Sequence, residues 1–350
     1  MDGRQLITDL SFDELQTWLT ELGEPPFRAM QIFSWVYHSM ISDWPEMTNL
    51  SANLRQRLSS LAVLSSLGPL DRVTSADGLT TKELLELRDG ETLESVLMRY
   101  EGRQTTCLSS QVGCALRCPF CATGQSGFRR NLTSGEIVDQ VLHFARQLRG
   151  EGLGVTNVVL MGMGEPLANY DATWKAIRTL NDARGFRLGA RRFTISTVGI
   201  VPGIRRMTGE GLEVGLAVSL HAPNDSLRDR LVPANKNYPL TELIPACRDY
   251  ANATHRRLTF EYALIQGVND GPQQARELGN LLHGMLCHVN LIPVNPTAGC
   301  DYRPASREAV ASFREELNGH GIANTIRLGR GVDIQAGCGQ LRSRRQPPVS

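Results

Sequence analysis

A chain of 350 residues, 41% hydrophobic and 21% charged, can bury the core of one large domain plus an appendage, and its composition is neither disordered nor fibrous. A net charge of +1 carries no global nucleic-acid signature, so any RNA contact has to come from local basic patches. The charged start Met1-Asp2-Gly3-Arg4 lacks the apolar run of a signal peptide, and no stretch approaches about 18 uninterrupted apolar residues, so a cytoplasmic protein without membrane contact is expected.

Residues 1–66 read as a helical accessory domain. Ser11 and Glu14 have the spacing of a capping box, Leu15, Trp18, Leu19 and Leu22 form one face, and Gly23 with Pro25-Pro26 ends the helix. A second helix carries Met30, Phe33, Tyr37 and Met40, and a third begins near Ser51 with Leu54, Leu58 and Leu61. Residues 67–100 then change character. Asp77-Gly78 and Asp89-Gly90 are hairpin turn pairs between β-rich runs, which predicts a short β-meander.

From residue 101 to 342 strand and helix signals alternate, the pattern of a parallel sheet with crossover helices. Strands are expected at Thr105–Ser110, Val155–Met161, Arg192–Ser196, Val214–Leu220, Leu258–Leu264 and Val289–Val294. Thr133 and Glu136 cap a helix that runs to Gly150, Leu278 to Met285 mark another, and a last helix and strand fall near Arg307–Leu317 and Ala323–Leu328. Six strands suffice for an open barrel, so the expected class is α/β, a partial (βα)6 barrel with the helical domain and meander in front.

The barrel's loops should carry the chemistry, because parallel barrels build their sites after the C-terminal ends of the strands. Cys114, Cys118 and Cys121 follow the first strand in a C-x3-C-x2-C run. A cubane iron-sulfur cluster takes one thiolate per iron, so three cysteines leave one iron open to substrate. A zinc site short of its fourth ligand and a thioredoxin-like Cys118-x-x-Cys121 pair fit the same stretch. Eight cysteines in such a chain point to reduced thiols in metal or catalytic use, not to a disulfide framework. Gly162-Met163-Gly164-Glu165-Pro166 follows the second strand, Ser196 ends the third, Ser219-Leu220-His221 the fourth, and Asn295 follows the sixth.

These blocks together resemble the radical S-adenosylmethionine superfamily, and within it the RNA adenine methyltransferases that modify 23S ribosomal RNA and transfer RNA at C2, whose sister group methylates C8. The resemblance runs through Cys107-Leu-Ser-Ser-Gln-Val-Gly-Cys114, Leu160-Met-Gly-Met-Gly-Glu-Pro-Leu167, Ser219-Leu-His-Ala-Pro-Asn-Asp225, Asn290-Leu-Ile-Pro293 and Cys338-Gly-Gln-Leu341, and covers essentially the whole chain. It implies a radical-SAM barrel in which Cys114, Cys118 and Cys121 ligate a [4Fe-4S] cluster whose open iron chelates S-adenosylmethionine. Gly164 and Glu165 would meet the cofactor's amino group. Ser196, Ser219, Leu220, His221 and Asn295 match its further contacts, Leu220 through backbone.

The resemblance also implies a relay. One S-adenosylmethionine methylates Cys338, a second supplies a radical that takes a hydrogen from that methyl, and the methylene radical adds to the base as a covalent protein–RNA adduct. Cys107 would then form a transient disulfide with Cys338, and Glu94 would accept the proton of the adenine carbon. Glu94 alternates with Val96 and Met98, which places it on one strand face with two apolar groups, where a base with a raised pKa is expected. Gly337 and Gly339 flank Cys338 and suit a mobile loop; a glycine at 337, where alanine is common in the family, should affect flexibility alone. Implied partners are 23S rRNA, tRNA and a reductant protein such as flavodoxin or ferredoxin, with the chain a monomer. Cys247 and Cys287 read as core and Cys300 as a turn. The basic doublets at 129–130, 191–192, 205–206, 256–257 and 344–345 are candidate phosphate grips. A zinc-stabilised RNA-binding module is the rival from another class; it explains the cysteines and doublets but not the Gly-Glu-Pro loop or Cys338.

Overall fold

A computed structural model describes residues 3–342 except 298 and 328, so the doublet at 344–345 lies outside the described residues. Near the N-terminus, β1 (Gln5–Leu6) pairs in parallel with β2 (Ala62–Val63), and between them stand α1 (Phe12–Glu21), α2 (Phe27–Tyr37) and α3 (Ala52–Leu61). The Ser11 capping box forms in both directions, its hydroxyl accepting from the Glu14 N–H at 3.3 Å and its N–H donating to the Glu14 carboxylate at 2.7 Å. Leu15, Leu19, Phe33, Tyr37 and Leu58 are buried and share one hydrophobic core with the barrel helices.

The meander and the barrel share one sheet. Strands β3 (Leu67–Thr74), β4 (Thr80–Leu87), β5 (Thr92–Tyr100) and β6 (Arg103–Cys107) pair antiparallel in succession, with Val96 opposite Cys107. The sequence reading separates 67–100 from the barrel; here β6 belongs to both. A small hairpin of β7 (Gln111–Gly113) and β8 (Phe128–Asn131) sits above it and encloses α4 (Ala122–Ser126). Then come α5 (Ser134–Gly150), β9 (Asn157–Leu160), α6 (Tyr170–Asn181), β10 (Phe193–Thr197), α7 (Val201–Thr208), β11 (Gly215–Ser219), α8 (Asp225–Leu231), α9 (Leu240–Thr254), β12 (Leu258–Leu264), α10 (Pro272–Leu282), β13 (Cys287–Pro293), α11 (Arg307–Gly319) and β14 (Asn324–Ile326). The ten strands run in the spatial order β14-β13-β12-β11-β10-β9-β6-β5-β4-β3, and β6 with β9 to β14 are parallel neighbours in sequence order. Helices between successive parallel strands give the expected (βα)6 pattern, and β14 adds a seventh strand at the open edge.

The first barrel strand ends at Cys107, three residues before the predicted Ser110. Leu108 still donates to the Val159 carbonyl, but Ser109 and Ser110 leave the ladder because other groups hold their backbone: Gln140 binds both the N–H and C=O of Ser109, and Asn169 donates to the Ser110 carbonyl. The helical domain docks on the first turn of α5. Gly135 donates to the Asp9 carboxylate at 2.6 Å, and a Cβ there would meet Asp9 N at 2.6 Å, so glycine permits the approach. Nearby, the buried Asp139 accepts from both the N–H and hydroxyl of Ser66.

Beyond β14 residues 329–342 form no strand or long helix, but return across the face of the meander. Arg330 donates to the Arg99 carbonyl, the Asp333 carboxylate accepts the Ala76 N–H, Lys82 reaches the Gln335 carbonyl, and the Arg342 N–H reaches Glu94. The segment therefore straps the open β14 edge to β4 and β5.

Candidate active site

The cysteine loop is shaped before any metal is considered. Gly113 has φ +75°, and a Cβ there would lie 1.9 Å from the Gly127 carbonyl oxygen, so only glycine fits. Beside it the Cys114 N–H donates to that same carbonyl at 2.9 Å, and the Cys121 N–H closes a turn on the Cys118 carbonyl at 3.1 Å. Cys114, Cys118 and Cys121 all line one cavity of about 160 Å³, with Leu116 and Phe120 between them. Burial pushes the Cys114 thiol up to about 12 and Cys118 further still. Such thiols need a positive partner to ionise, which bound iron supplies. Among the described residues no three His, Cys, Asp or Glu side chains gather around a single-ion position. A cubane cluster takes one thiolate per iron, and three thiols spread over one apolar wall fit that demand.

Across the cavity the second loop presents Gly164 and Glu165. Gly164 has φ +97°, and its missing Cβ makes room for Gln111. Glu165 is buried, forms no ion pair among the described residues, and accepts the N–H groups of Leu167 at 3.0 Å and Val198 at 2.9 Å. Burial raises its pKa to about 7 against those hydrogen bonds. A carboxyl so placed lacks one thing, a cation in the cavity, and an ammonium group would satisfy it.

Ser196, Ser219 and His221 line the same cavity. His221 sits at φ +59°, accepts the Ala263 N–H on Nδ1 at 3.0 Å, and meets Phe120 edge to face. Burial, helped by Arg228, pushes its pKa down to about 3, so the ring is neutral. Leu220 stands between Ser219 and His221, off the cavity wall. Its N–H donates to the Glu261 carbonyl and its C=O accepts from Arg228, so it holds its two neighbours in place. Asn295 lines a different cavity, and its amide donates to the Cys338 carbonyl at 3.1 Å.

That second cavity, about 670 Å³, occupies the barrel interior and contains Cys107. Cys338 belongs to both cavities, as do Met161, Glu261, Ile292, Arg327 and Leu341. Burial pushes the Cys107 thiol up to about 12, with Cys338 adding to the effect. Arg327, held charged above all by Cys338 and then by Glu261, has its guanidinium 3.7 Å from Glu261 Oε2. Neither residue was legible in the sequence, where a lone charge in or after a strand has no pattern.

The Cys338 loop is pinned. Ala122 donates to the Gly339 carbonyl at 2.7 Å, the Thr123 hydroxyl to Leu341 at 2.5 Å, and Gln340 to Pro296 at 3.1 Å. The flanking glycines have packing reasons: Gly339 has φ +82°, and a Cβ on Gly337 would approach Asn295 Nδ2 to 2.7 Å. The effect of glycine at 337 is therefore steric, not flexibility alone.

Glu94 shares its strand face with Val96 and Met98, but its surroundings are not the apolar ones the alternation implies. The Lys82 ammonium lies 3.1 Å from its Oε1, the Arg342 N–H donates to Oε2, and Glu94 lines a small groove under the strap, outside both larger cavities. Of the basic doublets, Arg130, Arg191 and Arg206 are ion-paired, and Arg256 donates to the Glu213 carbonyl. Cys247 and Cys287 are buried, as expected, and Cys300 is partly exposed.

Residues 6–64 match the family model of the ribosomal RNA large subunit methyltransferase N-terminal domain, and residues 108–278 that of the Radical SAM superfamily. A probable dual-specificity RNA methyltransferase RlmN of Symbiobacterium thermophilum is 49% identical, over 98% of this chain and 93% of its own length. The dual-specificity RNA methyltransferase RlmN 1 of Myxococcus xanthus is 47% identical, over 98% and 97%. The crystal structure of a radical SAM methyltransferase from Sphaerobacter thermophilus superposes with a TM-score of 0.95 at 50% identity, covering 97% of this chain and 99% of that one.

Proposed function

The chain belongs to the RlmN family of radical S-adenosylmethionine methyltransferases, and from that premise we propose that it methylates C2 of adenine in 23S rRNA, at the peptidyl transferase centre, and in the tRNA anticodon loop. The observation that carries the reading is the position of Cys338 in the wall between the cavity of the three cysteines and the cavity of Cys107. A relay needs a sulfur that faces a methyl donor on one side and an acceptor on the other.

Cys114, Cys118 and Cys121 would hold a [4Fe-4S] cluster, which supplies the electron that cleaves S-adenosylmethionine to a 5'-deoxyadenosyl radical. Glu165 would orient the cofactor through its amino group, with Gly164 letting the chain approach closely. Ser196, Ser219 and His221 line the space for the rest, the neutral imidazole adding no charge against a sulfonium. Leu220 would act by bracing Ser219 and His221, and Asn295 by orienting the Cys338 backbone.

The Cys338 sulfur takes a methyl group by displacement from one S-adenosylmethionine, and loses a hydrogen atom from it to the radical made from a second. The resulting methylene radical would add to adenine C2. As Glu94 accepts the C2 proton the adduct gives up its unpaired electron, which the oxidised cluster would take back. Glu94 can reach the base only if its contacts with Lys82 and the Arg342 N–H open toward the larger cavity. Cys107 then attacks the Cys338 sulfur. A disulfide forms, the sulfur–carbon electron pair leaves with the carbon, and a proton completes the new methyl group. A small reductant protein such as flavodoxin or ferredoxin would reduce the cluster. The test is anaerobic reconstitution, which should give about four irons per chain, followed by mass mapping of the methyl group on modified RNA. Methylation at C8 would move the chain's activity to that of the sister group, and unmodified RNA from a fully loaded enzyme would overturn the reading.

A further inference from the structure

The larger cavity has a mouth that no part of the reading above uses. At the end of β5 the Tyr100 ring carries two guanidinium groups, that of Arg103 at 4.1 Å and that of Arg330 at 4.2 Å from its centroid. All three residues line the cavity that reaches inward to Cys107 and Cys338. Arg103 is exposed, and its side chain has no hydrogen bond or ion pair among the described residues. Arg330 spends one donor on the Arg99 carbonyl, and the acid that feels its charge, Asp77, lies outside the cavity wall. Two like charges on one ring repel unless an anion lies between or beside them, and stacking fixes guanidinium planes in advance, so little further ordering is needed to bind one.

The rest of the wall agrees with an anionic, hydrogen-bonding guest. It contains three arginines against one glutamate, Glu261, which faces Arg327, so it carries an excess of two positive charges. Thr105, Asn157, Thr194, Thr259, Asn290 and Thr325 give it hydroxyl and amide groups suited to the edges of a base. A groove of about 560 Å³ between α1 and α6 provides the contrast. It has five acids against four bases, and each base there is ion-paired. That surface is neutralised internally; the Tyr100 mouth is not.

We propose that Tyr100, Arg103 and Arg330 form a lip that grips phosphates of the RNA strand beside the target adenine, as the splayed nucleotide enters the larger cavity. The assignment rests on the RNA methyltransferase reading and adds to it where the strand lies. A guanidinium on a phosphate releases counterions, so the lip contributes to affinity whatever the sequence of the RNA.

The test is binding of an adenine-containing RNA stem-loop by the full-length, cluster-loaded protein, followed by fluorescence anisotropy across a salt series. Arg103→Gln and Arg330→Gln should each flatten the slope of log affinity against log salt by about 0.7 to 0.9, and the double variant by roughly twice that. Tyr100→Leu, which keeps both charges but removes their platform, should weaken binding with little change in slope. Arg184→Gln in the neutralised groove should keep the wild-type slope. A double variant that keeps the wild-type slope overturns the lip while leaving the methylation reading intact, provided the wild type still methylates RNA. If the variants lose pyrophosphate binding yet hold RNA normally, the lip is a site for small phosphates and the proposal fails. Wild-type protein that neither binds nor methylates RNA would remove both readings at once.

Discussion

The two cavities that meet at Cys338 are built in opposite ways. The smaller is a product of rim loops: glycines at 113 and 164 whose missing Cβ atoms allow tight approach, three thiols of which Cys114 and Cys118 are buried, and a buried Glu165 without a cation. The larger lies inside the strands, has more polar walls than the smaller and carries an excess of positive charge. One asks for a cation and the other for an anion. A sulfonium-bearing cofactor and a polyanionic RNA can thus occupy one barrel without competing, and the only exposed cysteine among the described residues stands at the boundary.

The largest test of this division is Cys338→Ala. Methyl transfer should vanish while iron content stays at about four per chain, because the cluster thiols are on another loop; wild-type turnover by this variant would end the relay. Cys107→Ala should instead accumulate RNA covalently attached to protein, seen as a shifted band that survives denaturation. Glu165→Gln comes next. It should weaken S-adenosylmethionine binding by about tenfold to a hundredfold, as expected for a lost charge-assisted hydrogen bond, without altering the salt slope of RNA binding. A change in that slope would mean that the cavities are not electrostatically separate.

A stability variant far from both cavities provides a reference. Burial raises the Asp139 pKa to about 6 from an ordinary 3.8, so the folded state holds the proton more tightly than the unfolded chain. Its contribution is full below pH 3.8 and is lost as pH rises through about 6. Asp139→Asn should remove that pH dependence, worth at most about 3 kcal/mol. The variant should gain on the wild type as pH rises from about 4 to about 6 in thermal melts and keep a constant lead above that, with RNA and cofactor binding unchanged at 25 °C. The smallest effect belongs to Gly337→Ala, where the new methyl meets the ends of Asn295 and Gln340, whose hydrogen bonds to Cys338 and Pro296 must lengthen to make room. It should cost below about 1 kcal/mol in melting and slow Cys338 methylation only a few-fold.

The rim was legible in the sequence because its constraints are local. A C-x3-C-x2-C run, a Gly-Glu-Pro loop and strands ending in Ser or His leave marks within a few residues, and the capping boxes at Ser11 and Thr133 formed as their spacing requires. The barrel interior left no such mark. Arg327 and Glu261 are single charges in apolar surroundings, and they come within 3.7 Å only because β12 and the end of β14 face one lumen. The doublets show a related limit of local patterns. Adjacent arginines are conspicuous, yet Arg130, Arg191 and Arg206 found carboxylates from other elements. Arg103 and Arg330, 227 positions apart in the chain, were joined by a tyrosine ring. Glu94 shows the limit from the other side: strand alternation placed it on the right face, but could not foresee Lys82 beside it.

The strap over the meander has a consequence for how the enzyme comes into being. Arg342 reaches Glu94 across 248 positions, Leu341 reaches Thr123 across 218, and Asp333 reaches Ala76 across 257. Contacts so distant in sequence close late, after the loop entropy between them has been overcome. During translation the loop of Cys114, Cys118 and Cys121 and the first barrel strands therefore exist well before Cys338. A chain that stops short of the strap would carry the three thiols without Cys338 beside them and without the Gly339 and Leu341 carbonyls that hold Ala122 and Thr123, so the two sets of sulfur atoms are brought together only when the barrel's last wall is laid.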